Sequence, residues 1–416
     1  MKKSSAAASV IAGLIAAMLL SFLVSLDIAL FVGFILAIAL LIYSDRKSVR
    51  LEGIVIIRRT QKGKNFINKV ARAAPNGWRR LSVVGIVLAV ILMASGSLLL
   101  LTQASAVISG AQGGVKLLLP GPVSSPVNAP GVFVVPWWIW IIGIAVVIIP
   151  HEFMHGVMCR IDGIRIRSVG WLLLILVPGA FVEPDEKQLA KAKRMTKLRV
   201  YAAGSFANMI VAAIVIILFA AIFAPAVAPA GVFVLAQKDG PAYNASLNGS
   251  ITAINGFAVK TPVDISRELS KYKPGDIVTV TTAETNYMVP AFLPGNVLPG
   301  SAAVTNSNMK NYSVTLGQKA GSAFLGVAAV APAVMLKMDI HTYATFSTLL
   351  LWMFLFSFGI GLVNLLPIKP LDGGLIFEEL VKGRYQKIIV RAVSVFMLLV
   401  LIFNIVGPLF LAAGGA

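Results

Sequence analysis

Two histidines and one glutamate lie within five consecutive residues, His151-Glu152-Phe153-Met154-His155, at the end of an apolar run. Residues four apart in a helix share a face and lie one turn from each other, so both imidazoles can reach one metal ion. This HExxH pattern is typical of helices in which the histidines bind zinc and the glutamate is the general base. The alternative is a histidine pair satisfied by neighbouring helices. We favour the metal site, because ionisable residues within apolar segments are costly and usually functional.

The composition predicts that the motif belongs to a membrane protein. The 416 residues are 58% hydrophobic and 13% charged, whereas soluble domains have about 25% charged residues. A helix crosses the bilayer core with about 20 apolar residues, or about 17 at the short end. Seven segments meet this length or nearly meet it: 8–26, 28–43, 82–101, 134–158, 200–225, 344–366 and 387–412. The predicted fold class is therefore an α-helical polytopic membrane protein with about seven transmembrane helices.

Most lysines and arginines gather in two connections, 44–81 and 159–199. Basic loops lie on the cytoplasmic side of a membrane, and seven spans starting from a cytoplasmic N-terminus place both connections there. The net charge of +19 is then explained by the orientation of the chain in the membrane. No nucleic-acid partner is expected, because the basic residues are not interleaved with exposed aromatics. We expect a multi-pass protein of the cell membrane, with 226–343 outside and the HExxH motif near the cytoplasmic face.

A third metal ligand must come from elsewhere, because catalytic zinc sites generally have three protein ligands. His341 is the remaining histidine, but this topology places it on the opposite side of the membrane from His155. Asp372 is the better candidate, because it lies in an irregular segment of prolines and glycines at the cytoplasmic end of the sixth span. The alternative role for Asp372 is a helix N-cap after a proline turn. The single cysteine, Cys159, is expected to be a small buried side chain.

The polar segment between the fifth and sixth predicted spans has the pattern of a small β-rich domain. Part of it, 240–256, resembles PDZ domains, which bind extended peptides by adding a strand to a sheet edge. A peptide is thus a candidate ligand of the insert, and a folded spacer is the alternative; 286–311 fits the pattern poorly and is a candidate insertion. The predicted domains are an N-terminal transmembrane hairpin with a basic loop (1–81), the first part of the membrane core (82–228), the PDZ-like insert (229–335) and the second part of the membrane core (336–416).

The HEFMH motif in one span and the NLLPIKPLDGG motif after a later one resemble the site-2 protease family of intramembrane metalloproteases, in the order that this family has. The resemblance implies Zn2+ held by His151, His155 and Asp372, with Glu152 activating water. The implied substrates are membrane-anchored proteins, cleaved within or next to a transmembrane helix in regulated intramembrane proteolysis.

The resemblance covers about 134–412, and the first 80 residues look like an N-terminal addition. It implies that Asn208, four residues after Gly204, positions the scissile carbonyl or its oxyanion; an interhelical hydrogen bond is the alternative. The chain departs from the family at two places. Ser205 stands where members commonly have proline, and Lys369 lies in the proline turn, where members often have an uncharged residue.

The stretch 170–185 is apolar but too short to span the membrane, and we expect it to dip in and return. The family resemblance implies that it is an edge strand that pairs with unwound substrate, whereas an interfacial helix is the alternative. Two other functions stay open. A membrane metalloprotease of the prenyl-protein type would take Glu378 or Glu379 as its third ligand, and a transporter or scaffold would use the metal or the insert for binding.

Overall fold

The structure is a computed structural model that describes residues 3–44, 49–110, 115–121, 128–129, 132–174, 177–289 and 301–414. The chain forms two compact units. The first unit is Met1–Ala213 with Trp352–Ala416, and the second is Ile214–Leu351. The HExxH motif and the LDGG segment both belong to the first unit.

Twelve helices are found in the described residues: α1 (Lys3–Leu20), α2 (Leu26–Ser44), α3 (Lys64–Ala73), α4 (Pro75–Ile108), α5 (Trp137–Ile161), α6 (Glu186–Lys191), α7 (Arg194–Phe223), α8 (Pro241–Asn244), α9 (Pro262–Leu269), α10 (Ile340–Asn364), α11 (Asp372–Leu380) and α12 (Gln386–Gly414). The strands of the described residues are β1 (Val49–Glu52), β2 (Val55–Thr60), β3 (Leu117–Gly121), β4 (Asn128–Ala129), β5 (Val132–Pro136), β6 (Ile166–Leu174), β7 (Val177–Pro184), β8 (Val227–Ala236), β9 (Ser250–Ile254), β10 (Phe257–Ala258), β11 (Ile277–Val289), β12 (Ser301–Thr315), β13 (Gly317–Lys319), β14 (Ser322–Phe324) and β15 (Val327–Leu336).

Six helices within the described ranges are long and apolar enough to cross a bilayer: α2, α4, α5, α7, α10 and α12. They coincide with six of the seven predicted segments, so the chain is a polytopic helical membrane protein. The first predicted segment, 8–26, falls mainly in α1. This helix is 18 residues long, and its apolar part among the residues whose side chains are described is Ala8–Leu20.

A four-stranded antiparallel sheet lies beside the motif helix, with strand order β1-β2-β6-β7. The stretch 170–185 supplies most of the β6–β7 hairpin and not an interfacial helix, and β7 is an edge strand as expected. β1 and β2 come from the basic connection 44–81, and Arg58 pairs with Trp171 across the β2–β6 ladder. The N-terminal addition therefore completes this sheet.

The same basic connection also contributes to the core around the motif. Ile67 and Ala71 of α3 are buried against Met154 and Val157 of α5. Cys159 lies in the same cluster and is buried and free, as the sequence predicts. These contacts pack α3 of the basic connection against one side of α5.

The second unit contains a six-stranded sheet with order β10-β9-β11-β12-β15-β8 and a further pairing of β8 with β9. Its interior is built from aliphatic residues such as Val232, Ile251 and Val280, which are fully buried. A capping box between Thr261 and Asp264 starts α9. Residues 286–289 and 301–311 continue β11 and β12, and the intervening 290–300 lie outside the described residues.

Candidate metal centre

The helix α5 brings the two histidines of the motif together. It continues through Pro150 to Ile161, so His151 and His155 lie one turn apart with ring centroids 4.7 Å from each other. Their Nε2 atoms are 3.1 Å apart. Both side chains are largely buried, with 10% and 16% of their surfaces exposed, so the site is shielded from bulk solvent but not sealed.

Asp372 is the third member of the cluster. Its Oδ2 lies 3.3 Å from Nε2 of His151 and 3.5 Å from Nε2 of His155. Leu371 occupies the N-cap position of α11, so Asp372 is the first residue inside that helix and its carboxylate faces the imidazoles. In the described part of the chain, these three residues are the group whose ligand atoms converge as a metal site requires.

The two glycines after Asp372 allow α11 to begin against the turn that precedes it. A Cβ at Gly373 would lie 2.0 Å from the carbonyl oxygen of Leu365, and one at Gly374 would lie 2.5 Å from the carbonyl carbon of Ile368. The turn contains a cis peptide bond between Lys369 and Pro370. The LDGG sequence thus places the carboxylate by letting two backbone segments touch.

The three ligand atoms fit a single metal ion. A tetrahedral zinc site with bonds of about 2.0–2.1 Å has ligand atoms about 3.4 Å apart, and the observed separations are 3.1, 3.3 and 3.5 Å. Gly204 of α7 lies directly against the two imidazoles, with no side chain between the helix and the ligand atoms. A Cβ at Gly204 would lie 2.4 Å from Nε2 of His155 and 2.6 Å from Nε2 of His151.

Helix α7 forms the wall of this site through contacts that sequence reasoning did not anticipate. The carbonyl oxygen of Val200 lies 2.6 Å from Nδ1 of His155. The hydroxyl of Ser205 donates to Oδ2 of Asp372 at 3.2 Å, and Ser205 is fully buried. The sequence offered one signal for this role, because Ser205 stands where family members commonly have a proline after the glycine.

Asn208 is fully buried on the same helix. Its amide nitrogen lies 3.1 Å from Nδ1 of His151, and its amide oxygen has no partner among the described residues. Asn208 therefore forms an interhelical hydrogen bond, the alternative that the sequence left open, and the partner is a residue of the HExxH motif.

Glu152 projects toward the sheet. Its Oε2 accepts a hydrogen bond of 3.0 Å from the backbone N–H of Val182 in β7. Because this N–H donates to Glu152 and not to β6, it lies on the free edge of the strand. Next to it, Ser168 of β6 donates to Glu183 of β7, which ties the two strands at the level of the site.

The other acidic candidates are engaged elsewhere. Glu378 pairs with Lys369 at 2.8 Å, and Glu379 pairs with Lys197 at 3.0 Å. The Glu378 carboxylate thus neutralises Lys369. Lys369 is the charged residue in the proline turn, where family members often have an uncharged one. His341 lies in the first turn of α10 and belongs to the second unit.

Comparisons with known proteins give the family. The model of peptidase family M50 matches residues 139–406, which is more than half of the chain and includes both motifs. The chain is also 26% identical over 358 residues to an uncharacterized protein of Methanocaldococcus jannaschii, a match that covers 84% of this chain and 86% of that protein. The chain therefore belongs to peptidase family M50, the site-2 protease family of metallopeptidases.

Proposed function

We propose that this chain is a zinc-dependent intramembrane endopeptidase, which hydrolyses a peptide bond within or next to the transmembrane helix of a membrane-anchored protein. The observation that carries the proposal is the convergence of His151, His155 and Asp372, whose ligand atoms lie within 3.5 Å of one another. Two of these residues lie inside a candidate membrane span. Ten residues separate His151 from Ile161, the last residue of α5. His151 is therefore about 15 Å along the helix axis from the end of that helix.

The side chains divide the chemistry between them. His151 and His155 would hold the metal through Nε2, and Asp372 would hold it through Oδ2. A zinc ion held there would supply Lewis-acid polarisation of a peptide carbonyl and would make water more acidic. Glu152 takes the proton of the attacking water and returns it to the leaving amine. Glu152 follows His151 directly in α5, so the base and both imidazoles are positioned by one rigid helix.

The substrate segment is proposed to lie extended along β7. A helix hides its carbonyls in hydrogen bonds, so cleavage requires local unwinding, and an exposed strand edge stabilises an extended peptide by backbone pairing. β7 is the terminal strand of its sheet. Its Val182 N–H lies 3.0 Å from Glu152, so a peptide paired there is brought to the catalytic carboxylate.

The proposed location is the cell membrane, with a cytoplasmic N-terminus, the insert outside and the active site near the cytoplasmic side. The charge pattern supports this orientation, because both basic connections are predicted on one side. Their pairing in one sheet agrees with it, since β1 and β2 come from one connection and β6 and β7 from the other. Segments on opposite sides of a bilayer cannot form such a ladder.

The insert is proposed to be PDZ-like and to bind an extended peptide. β15 pairs with β8 along Val327–Leu336. Among the described strands, pairing on its other edge comes from β12 and covers Ala333 to Met335. This leaves the first half of β15 able to accept an additional strand, which is the mode of peptide binding that a PDZ fold uses.

The proposal is tested by comparing membrane-protein fragments released in cells that produce the wild type or Glu152→Gln. We expect fragments cut within or next to a transmembrane segment with the wild type alone, while both purified proteins contain one zinc per chain. Equal release by Glu152→Gln contradicts the mechanism. Release by neither protein, with zinc bound in both, contradicts the enzymatic function and supports a binding protein.

A further inference from the structure

We infer that α7 acts as the outer shell of the metal site, and that Ser205 and Asn208 are positioning residues for Asp372 and His151. This inference rests on the proposed zinc site. It assigns Ser205 a function in a place where the resemblance offered none. It also gives Asn208 a role different from contact with the substrate carbonyl.

Ser205 fixes the orientation of the Asp372 carboxylate. Its hydroxyl donates to Oδ2, which is also the oxygen that faces both imidazoles. Asp372 follows a turn of prolines, and its side chain could rotate about two bonds without this contact. A hydrogen bond from a buried donor selects one orientation, and hydrogen bonds to ligating carboxylates are a general part of metal sites.

Asn208 fixes the ring orientation and the tautomer of His151. When Nε2 binds a metal, the proton of the neutral imidazole is on Nδ1, and that N–H needs an acceptor. Asn208 is the residue at 3.1 Å from Nδ1. A half-turn of its amide exchanges oxygen and nitrogen, so that the oxygen that otherwise has no partner among the described residues accepts this N–H.

His155 completes the pattern, since its Nδ1 lies 2.6 Å from the carbonyl oxygen of Val200. Each of the three metal ligands is thus held by one group of α7. Positions 200, 204 and 208 share a helix face at intervals of four, and Gly204 occupies the centre of that face, directly against both Nε2 atoms. The face with residues 200, 204 and 208, together with the adjoining Ser205, therefore provides a partner for every ligand.

The test measures zinc affinity of the purified full-length protein by competition with a chromophoric chelator, together with the visible spectrum of the cobalt-loaded protein. The variants are Ser205→Ala and Asn208→Leu. Ser357→Ala is the matched control for serine, because the buried hydroxyl of Ser357 has no partner among the described residues. Asn404→Leu is the control for asparagine, because buried Asn404 donates to the carbonyls of Leu100 and Val400 away from the site.

We expect Ser205→Ala and Asn208→Leu to weaken zinc binding by about 10- to 100-fold, as outer-shell changes do, and to alter the cobalt absorption bands. Both controls should keep wild-type affinity, even if Asn404→Leu lowers the melting temperature. Unchanged zinc affinity in Ser205→Ala and Asn208→Leu overturns the inference. It does so even if Asn208→Leu loses proteolytic activity while its zinc affinity stays at the wild-type value. Wild-type protein without stoichiometric zinc would instead overturn the proposed function itself.

Discussion

Gly204→Ala should remove metal binding while leaving the fold intact. The added Cβ would lie 2.4 Å from Nε2 of His155 and 2.6 Å from Nε2 of His151. A zinc ion must sit about 2.0–2.1 Å from the same two nitrogens. The methyl group therefore enters the space of the ion, and it is also too close to both rings for ordinary contact, so the imidazoles must turn away from each other.

The substitution has the opposite effect on the helix itself. Alanine favours a helix interior over glycine by about 1 kcal/mol, so α7 gains intrinsic helix stability as the site loses its ligands. Gly359 of α10 provides a matched control, because a Cβ there meets nothing within 4 Å. Gly359→Ala should gain similar helix propensity without any change in metal binding.

The assay is zinc content after dialysis against a weak chelator, with circular dichroism and a thermal melt on the same samples. We expect one zinc per chain in the wild type and in Gly359→Ala, and less than a tenth of that in folded Gly204→Ala. A Gly204→Ala protein that binds zinc with wild-type affinity refutes the assignment of the space in front of Gly204 to the metal. Unfolded Gly204→Ala would refute the claim that only the site is affected.

Three further predictions concern the third metal ligand, the start of α11 and the cap of α9. Asp372→Ala should lose stoichiometric zinc, whereas Glu378→Ala and Glu379→Ala should retain it, because those two carboxylates pair with lysines. Elemental analysis of the purified variants measures the zinc content. Zinc loss in Glu378→Ala or Glu379→Ala would favour the prenyl-protein-type alternative. Gly373→Ala should displace α11 from the Leu365 carbonyl, and this overpacking should cost about 1–3 kcal/mol of folding stability. A thermal melt should show the lower stability, and a zinc titration should show a lower zinc affinity. An unchanged zinc affinity contradicts the argument that Gly373 is needed for the close approach of the two backbone segments. Asp264 accepts the N–H groups of Lys260 and Thr261, which lower the pKa of its carboxyl. This stabilisation is therefore complete above the unfolded pKa of about 3.9 and is lost as the pH falls through the lower folded value. Protection of the amides of residues 260 and 261 from hydrogen exchange, relative to the intrinsic exchange rate at each pH, should fall only in acid for the wild type but already at neutral pH for Asp264→Ala, and equal protection at neutral pH contradicts the prediction.

The proximity of His151 and His155 was predictable because it depends on helix geometry alone. The choice of Asp372 over His341 required only the approximate topology of the spans. These two steps use local periodicity and charge distribution, which a single sequence displays directly. They made Asp372 a candidate beside its alternative role as a helix N-cap, and the family resemblance then implied the set of three ligands.

The contacts that hold the ligands could not be derived in this way. The donation from Ser205 to Asp372 joins residues 167 positions apart, and it depends on which face of α7 meets the LDGG turn. The family signature that joins Gly204 and Asn208 was noted in the sequence, but only the packing shows that a side chain at Gly204 would press on both imidazoles. Side-chain contacts across helices depend on rotation about the helix axis, which apolar segments hardly specify.

The family resemblance implied an edge strand in 170–185, but the other strands of the sheet beside the site were not predicted. Pairing of Arg58 with Trp171 joins two connections that hydropathy and charge describe only as basic loops. Hydropathy also finds the apolar centre of a helix and not its ends. Thus α4 begins at Pro75 and not near residue 82, because its basic first turns remain helical outside the apolar stretch and Arg79 pairs with Asp162 at 3.5 Å.

The most direct test of the central claim is X-ray absorption spectroscopy of the zinc-loaded, full-length protein and of its Asp372→Ala variant. In the wild type we predict scattering from two imidazole nitrogens and one carboxylate oxygen, all at about 2.0–2.2 Å. In Asp372→Ala the carboxylate contribution should disappear from any residual zinc while the two imidazoles stay. A wild-type spectrum with fewer than two imidazoles, or with a sulfur ligand, contradicts a metal centre formed by His151, His155 and Asp372.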